Sequence, residues 1–229
     1  GMKQAGISKT GSKIVNRTIL VVVATMAIIF GIGGIGHGFF EALQGFTPTN
    51  GLVIHAIGEA NRMWEYGNEP AFTVIPNFLI TGIASMAVGL AVIVWSVGFL
   101  HRRNGPTVLL LLFVLLFMVG GGIGQVVFFS IIWVFSTFIH KQLKPSKSEK
   151  TGGLRKKTAR FWQPFLVASS VAIVFALEIA IFGLVPFVKN PDTISLVMLS
   201  SLGAGFILMI LAFLSGMVHD TEPDRRIAS

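Results

Sequence analysis

The chain has no cysteine and few charged residues, and each of these features excludes certain classes of protein or site. Without cysteine it has no disulfide, no thiolate metal ligand and no cysteine nucleophile. Charged residues make up only 12% of the 229 positions, against roughly 25% in soluble domains. Composition therefore excludes an ordinary soluble protein. Hydrophobic residues, at 53% of positions, favour a protein of the lipid bilayer.

Acidic residues are also scarce, with 10 against 18 lysines and arginines, for a formal net charge of +8. A basic protein often binds nucleic acid, but here the cations occupy the short segments between apolar runs, where membrane topology accounts for them. We therefore expect no nucleic-acid partner. The expected partner is the bilayer itself, with anionic lipid at the basic segment 141–163.

Five apolar runs cover residues 18–40, 71–100, 105–139, 164–188 and 193–218. Four of them suit a single membrane-spanning helix. The third run would be about 52 Å long as one helix, far more than the roughly 30 Å hydrocarbon core. Its centre holds four glycines within five residues, which favours a turn. We therefore predict short helices over 107–119 and 126–140, joined by a glycine turn at the outer side.

Basic residues orient the chain. They precede the first run, follow the second, separate the third from the fourth and follow the last. The positive-inside rule places all four groups in the cytoplasm, so the third run crosses an even number of times. This predicts an all-α polytopic membrane protein with about six transmembrane helices and both termini cytoplasmic. The alternative is a re-entrant hairpin that never reaches the outer face.

The expected organisation has three parts. Residues 1–140 form a four-helix membrane part with an outer polar loop at 41–70. Residues 141–163 form a basic cytoplasmic linker, and residues 164–229 form a two-helix membrane part with a cytoplasmic tail. Within the outer loop, the pattern over 51–66 predicts an amphipathic helix.

Glu178 is the one charged residue in the fourth run. A charge at membrane depth costs at least a few kcal/mol, so such residues usually face a protein interior or a water-filled cavity. Gln125, His37 and Glu41 are predicted toward the same outer side. With Glu178 they are the candidate polar site for proton coupling. The alternative is a neutral Glu178 that hydrogen-bonds to a neighbouring helix.

Two His-x-x-x-Glu pairs, His37/Glu41 and His55/Glu59, would each share a helical face. Imidazole and carboxylate groups ligate divalent metals, so the four residues are a candidate metal site. They are also candidates for a proton relay, because histidine titrates near neutral pH. A purely structural role is the third interpretation, and the identity of any cofactor stays open.

Residues 31–36 match the G-x-G-x-x-G pattern of dinucleotide sites. The match lies near the end of an apolar run and does not follow a strand of a βαβ unit, so dinucleotide binding is not expected. Small residues instead predict close helix packing, within the chain or in a homo-oligomer. The glycines concerned are Gly34, Gly38, Gly120 and Gly124.

Two segments resemble parts of small multi-spanning bacterial membrane proteins of unassigned function: NEPAFTVIPN at 68–77 and GGGIG at 120–124. The resemblance covers about residues 30–140. It implies a prokaryotic plasma membrane and carries no activity or site residues.

The residues themselves favour transport or permeation of a small solute or ion, with Glu178 as the titrating group. A membrane-embedded enzyme with an outer His/Glu metal site is one alternative. A non-catalytic assembly or sensor subunit, whose polar loop and glycine faces contact partners, is the other.

Overall fold

The computed structural model describes residues 15–143 and 152–221. The basic residues of 1–14, of 144–151 within the predicted linker and of the tail 222–229 lie outside the described residues. The helices are α1 Arg17–Leu43, α2 Phe78–Gly98, α3 Gly105–Met118, α4 Val126–Ser136, α5 Gly152–Arg160, α6 Trp162–Phe182 and α7 Pro191–Asp220. The strands are β1 Val53–His55, β2 Pro70–Thr73 and β3 Val119–Gly122, and short 3-10 turns cover Glu59–Asn61 and Ile123–Gln125.

Four helices, α1, α2, α6 and α7, are long and apolar enough to cross a bilayer. In α2, α6 and α7 no more than 28% of the apolar window is buried against the rest of the chain. These helices therefore keep wide hydrophobic faces that suit lipid rather than water. The expectation of a mostly helical protein with membrane-spanning segments is confirmed to this extent: most residues are helical, and four helices are candidate spans.

Local signals set the ends of the long helices. Asn77 caps α2 by accepting a hydrogen bond from the Ile80 N–H at 3.2 Å, and Asn190 caps α7 by accepting one from the Thr193 N–H at 3.0 Å. α6 is followed by Gly183, whose φ of +63° is the left-handed conformation that commonly terminates helices.

The start of α1 is held by the end of α7. The Asp220 carboxylate accepts hydrogen bonds from the backbone N–H groups of Thr18 and Ile19 at 3.1–3.2 Å. The carboxylate thus accepts from backbone N–H groups that have no partner within the helix. It also places a negative charge at the positive end of the helix dipole. The beginning of α1 and the end of α7 therefore lie at the same end of the helix bundle.

The third apolar run forms two short helices, but the glycine segment between them is more than a turn. α3 has 14 residues and α4 has 11. Between them, β3 pairs antiparallel with β2, which in turn pairs with β1. The glycine segment is thus the third strand of a small sheet, and this pairing provides partners for backbone N–H and C=O groups that would otherwise be unpaired.

The predicted amphipathic helix over 51–66 is wrong. This stretch contains β1 and the 3-10 turn Glu59–Asn61 instead. The register of β1 on β2 pairs Val53 with Phe72 and His55 with Pro70. A short helix is marginal without tertiary support, and pairing with a distant strand outweighs the local apolar pattern.

Helices α1 and α2 pack with their backbones in contact. A β-carbon added to Gly31 would approach the Gly89 carbonyl oxygen to 2.9 Å, and one added to Gly89 would approach the Gly31 oxygen to 2.6 Å. Gly38 and Gly82 approach each other even more closely. The two contacts are seven residues apart on each helix, which is about two helical turns.

The glycines predicted to form contact faces behave differently from one another. Gly38 makes the close helix contact, Gly34 packs on the Leu116 side chain, and Gly120 lies against Glu41. Gly124 has no neighbouring atom within 4 Å of an added β-carbon. The contacts made are internal to the chain, so they lend no support to a homo-oligomer.

The predicted linker at 141–163 contains the short helix α5, which leads into α6. Lys157 and Arg160 stand in its last turn and are exposed. Contact of this segment with anionic lipid stays a prediction.

Candidate functional site

A group of buried polar side chains lies where α1 passes strand β3. His37 and Glu41 on α1 are 8% and 0% exposed, and Gln125, in the turn after β3, is 5% exposed. Within the described residues, five of their atoms have no hydrogen-bond partner: His37 Nδ1, both Glu41 carboxyl oxygens and both polar atoms of the Gln125 amide. Buried polar atoms are nearly always paired in folded proteins. These three residues, the polar cluster, therefore mark the candidate functional site.

The polar cluster forms because the distance between residues on one face of helix α1 matches the distance between residues on one face of strand β3. Residues four apart on a helix lie about 6 Å apart along its axis, and alternate strand residues lie about 6.6–6.8 Å apart on one face. A β-carbon added at Gly122 would be 2.8 Å from the His37 ring, and one added at Gly120 would overlap the Glu41 carboxyl group. His37 and Glu41 thus face alternate glycines of β3.

Two glycines, Gly120 and Gly33, make room for the polar cluster in different ways. Gly120 has a φ of +117°, a backbone region that L side chains avoid. Gly33, one turn before His37, leaves room for Gln125, whose Nε2 would lie 3.0 Å from a β-carbon added there. The missing side chains let the polar groups of α1 reach the backbone of β3 directly.

Strand β3 is held in place by a chain of hydroxyl groups. The Thr81 hydroxyl on α2 donates to the Val119 carbonyl at 2.7 Å. Since that uses its only proton, the Thr73 hydroxyl, 2.6 Å away, must donate to Thr81. The Ile75 N–H donates to the Thr73 hydroxyl oxygen at 3.0 Å. Strand β3 is therefore anchored to both β2 and α2.

Glu69 approaches the polar cluster from the loop at 41–70. Its Oε2 lies 3.5 Å from His37 Nε2, and its side chain is 24% exposed. Glu69 has a φ of +45°, a left-handed conformation that costs a non-glycine residue roughly 1–2 kcal/mol. Sequence patterns did not single out Glu69, because its contact with α1 arises only when β2 pairs with β3.

Glu178 lies outside the polar cluster. It is exposed on α6 and lies one turn before the helix ends at Phe182, not in the middle of a span. The buried residues of α6 are others, among them Ile173 and Ala176. The expected convergence of Glu178 with His37, Glu41 and Gln125 is therefore not observed, whereas those three residues do come together.

The predicted four-residue metal site is not assembled. His55 and Glu59 are exposed and lie in β1 and the following 3-10 turn. They line an open groove of about 300 Å³ beside the loop at 41–70, whereas His37 and Glu41 face β3. Among residues 15–143 and 152–221, no group of three or more His, Asp or Glu side chains is arranged to hold a metal ion.

Two aromatic residues of the loop at 41–70 form hydrogen bonds to the C-terminal pair of long helices. Trp64 Nε1 donates to the Ala180 carbonyl at 2.9 Å, and the Tyr66 hydroxyl donates to Asp192 Oδ1 at 2.9 Å. The hydrogen bond to the Asp192 carboxylate, together with its negative charge, raises the pKa of Tyr66 above its ordinary value. The loop that carries Glu69 is therefore tied to both α6 and α7.

Comparison with protein-family models, with curated proteins and with solved structures gives no match to this chain. Function therefore has to be argued from the site, since a helical membrane fold is compatible with many activities.

Proposed function

We propose that this chain is a six-span integral membrane protein that moves protons, alone or coupled to a small solute, through the polar cluster. The observation that carries the proposal is the fully buried, unpaired carboxyl group of Glu41 beside His37 and Gln125. An ionisable residue inside a membrane protein is a functional candidate by default. We place it in a prokaryotic plasma membrane, as the resemblance of residues 30–140 implies, with both ends of the chain in the cytoplasm, as the basic residues favour.

The contacts of α4 support two crossings in the third apolar run. The Asn16 N–H donates to the Ile139 carbonyl at 2.8 Å, at the start of α1. At the other end of this segment, Gln125 lies against Gly33. Asn16 and Gly33 are about 25 Å apart along α1. The segment from Gln125 to Ile139 thus runs along most of a membrane thickness.

The contacts of α3 support the same conclusion. Trp95, near the end of α2, donates from Nε1 to the Gly105 carbonyl at 3.1 Å. Val74, just before α2, donates its N–H to the Met118 carbonyl at 2.9 Å. α3 therefore returns alongside the whole of α2, so a re-entrant hairpin that stops halfway is disfavoured.

Single cysteines test the crossings cleanly, because the chain has none of its own. We expect Ile123→Cys and Glu65→Cys to react with a membrane-impermeant maleimide in intact cells, since both positions are exposed at the outer end. Arg103→Cys should react only after the cells are permeabilised. Protection of Ile123→Cys until permeabilisation, with Glu65→Cys labelled, would contradict the full hairpin.

The chemistry of the polar cluster suits a proton better than a larger ion. An ionised carboxylate without a partner is expensive to bury, so Glu41 must carry a proton or gain a partner when it loses one. His37 is one helical turn away on the same face, and its imidazole ring can both accept and donate a proton. Gln125 offers both a donor and an acceptor. The glycine backbone packed against these groups leaves little space for a hydrated ion.

Glu41→Gln is the direct test, because the amide keeps the size of the side chain and removes its proton exchange. In proteoliposomes with a potassium diffusion potential, a pH-sensitive dye should report proton flux with the wild-type protein. Glu41→Gln should reduce this flux at least tenfold, to about that of protein-free liposomes. Glu178→Gln is the matched control and should retain flux, since Glu178 lies outside the cluster. Wild-type flux in Glu41→Gln would refute the proposal.

A further inference from the structure

Three titratable side chains lead inward from the outer loop. Exposure falls from Glu69, which is partly exposed, to His37 and then to Glu41, which is fully buried. Glu69 Oε2 lies 3.5 Å from His37 Nε2. His37 and Glu41 share a face of α1, one turn apart. The order of burial matches what a path from water to a buried carboxyl group requires.

The two nitrogens of the His37 ring have different surroundings. Nε2 is the nitrogen near Glu69, whereas Nδ1 is buried and has no hydrogen-bond partner within the described part of the chain. One nitrogen thus lies near the partly exposed carboxyl group and the other in the interior. This arrangement suits an imidazole ring that relays protons. The ring can accept a proton at one nitrogen and release one from the other, and it is neutral before and after.

Few other charges surround this path. Helices α2, α3 and α4 carry no ionisable side chain. Strand β3, which packs against His37 and Glu41, consists of valine and glycine. On α1, the ionisable side chains besides Arg17 at the opposite end are His37 and Glu41 themselves. Glu69 is thus the acidic group placed to exchange protons with His37.

The backbone at Glu69 supports a specific role for its side chain. Its φ of +45° lies in the left-handed region, which is unfavourable for a glutamate. The Ala56 N–H donates to the Glu69 carbonyl at 2.9 Å, and Pro70 begins β2 immediately afterwards. The sheet holds the residue in this conformation and directs its carboxyl group onto His37. Strained residues of this kind cluster at functional sites.

We propose that Glu69 is the outer entrance of the proton path. It takes a proton from the outer aqueous phase and passes it from its carboxyl group to His37 Nε2, while His37 Nδ1 releases a proton to the Glu41 carboxylate. One transfer breaks the Glu69 O–H bond and the His37 Nδ1–H bond and forms the His37 Nε2–H bond and the Glu41 O–H bond, so the ring stays neutral with its proton on Nε2. This inference rests on the proposed function of the polar cluster and adds the side from which protons enter it.

Glu69→Gly separates this role from a structural one. Glycine adopts a positive φ without strain, so the melting temperature in detergent should be kept or raised. Proton flux driven from an acidic outer phase should nevertheless fall at least tenfold. Glu69→Asp should restore part of the flux, because it returns a carboxyl group. Glu65→Gln, an exposed acidic residue of the same loop, is the matched control and should behave as wild type.

The outcomes distinguish the entrance from the cluster. If Glu69→Gly carries wild-type flux while Glu41→Gln is inactive, the entrance is overturned and the function of the cluster stands. If both variants carry wild-type flux, the proposed function itself fails. Should Glu69→Gly not fold, Glu69→Gln takes its place with the same expected loss of flux, and wild-type flux in that variant overturns the entrance.

Discussion

Gly120→Ala is expected to destabilise the protein by about 3 kcal/mol or more, through two separate effects. The first is backbone strain, because alanine cannot easily adopt the φ of +117° at this position. The second is overlap of the new methyl group with the buried Glu41 carboxyl group. Thermal unfolding in detergent, followed by circular dichroism, measures the loss.

Gly124→Ala is the matched control for this substitution. It lies four residues later, its φ is not positive, and an added β-carbon meets no atom within 4 Å. We expect a change in stability of less than about 1 kcal/mol. In the Gly120→Ala background, Glu41→Ala should recover part of the lost stability by removing the overlap but not the strain. A Gly120→Ala protein as stable as wild type would show that β3 does not lie against α1 as described.

Gly38→Ala is expected to cost about 2–4 kcal/mol, because it forces apart two helix backbones. The added methyl group would overlap the Gly82 carbonyl oxygen and lie 2.8 Å from the Met86 backbone nitrogen. Neither atom can move without shifting α2 as a whole. A lower melting temperature and a weaker yield of folded protein in detergent are the expected results.

Gly36→Ala is the matched control two residues away on the same helix. An added β-carbon there meets no atom within 4 Å. Alanine should therefore be neutral or stabilise the helix by up to about 1 kcal/mol relative to glycine. Equal effects of Gly36→Ala and Gly38→Ala would contradict the close packing of α1 on α2.

The membrane-spanning helices could be predicted from the sequence because their signals are local. Length and hydropathy identify α1, α2, α6 and α7 without reference to the rest of the chain. The glycine-rich centre of the third run likewise marked the break between α3 and α4. The helical period placed His37 and Glu41 on one face of α1 before any contact was known.

The composition, hydropathy and helical period of the chain thus determined its class, its long helices and the shared face of His37 and Glu41. Tertiary structure decided which polar residues form the site. The direction that Glu178 faces depends on how α6 is rotated against its neighbours, and hydropathy does not encode that rotation. Strand pairing brought Glu69 to His37 and turned a glycine segment into the wall that encloses Glu41. Those contacts join residues far apart in the chain, so no local pattern could reveal them.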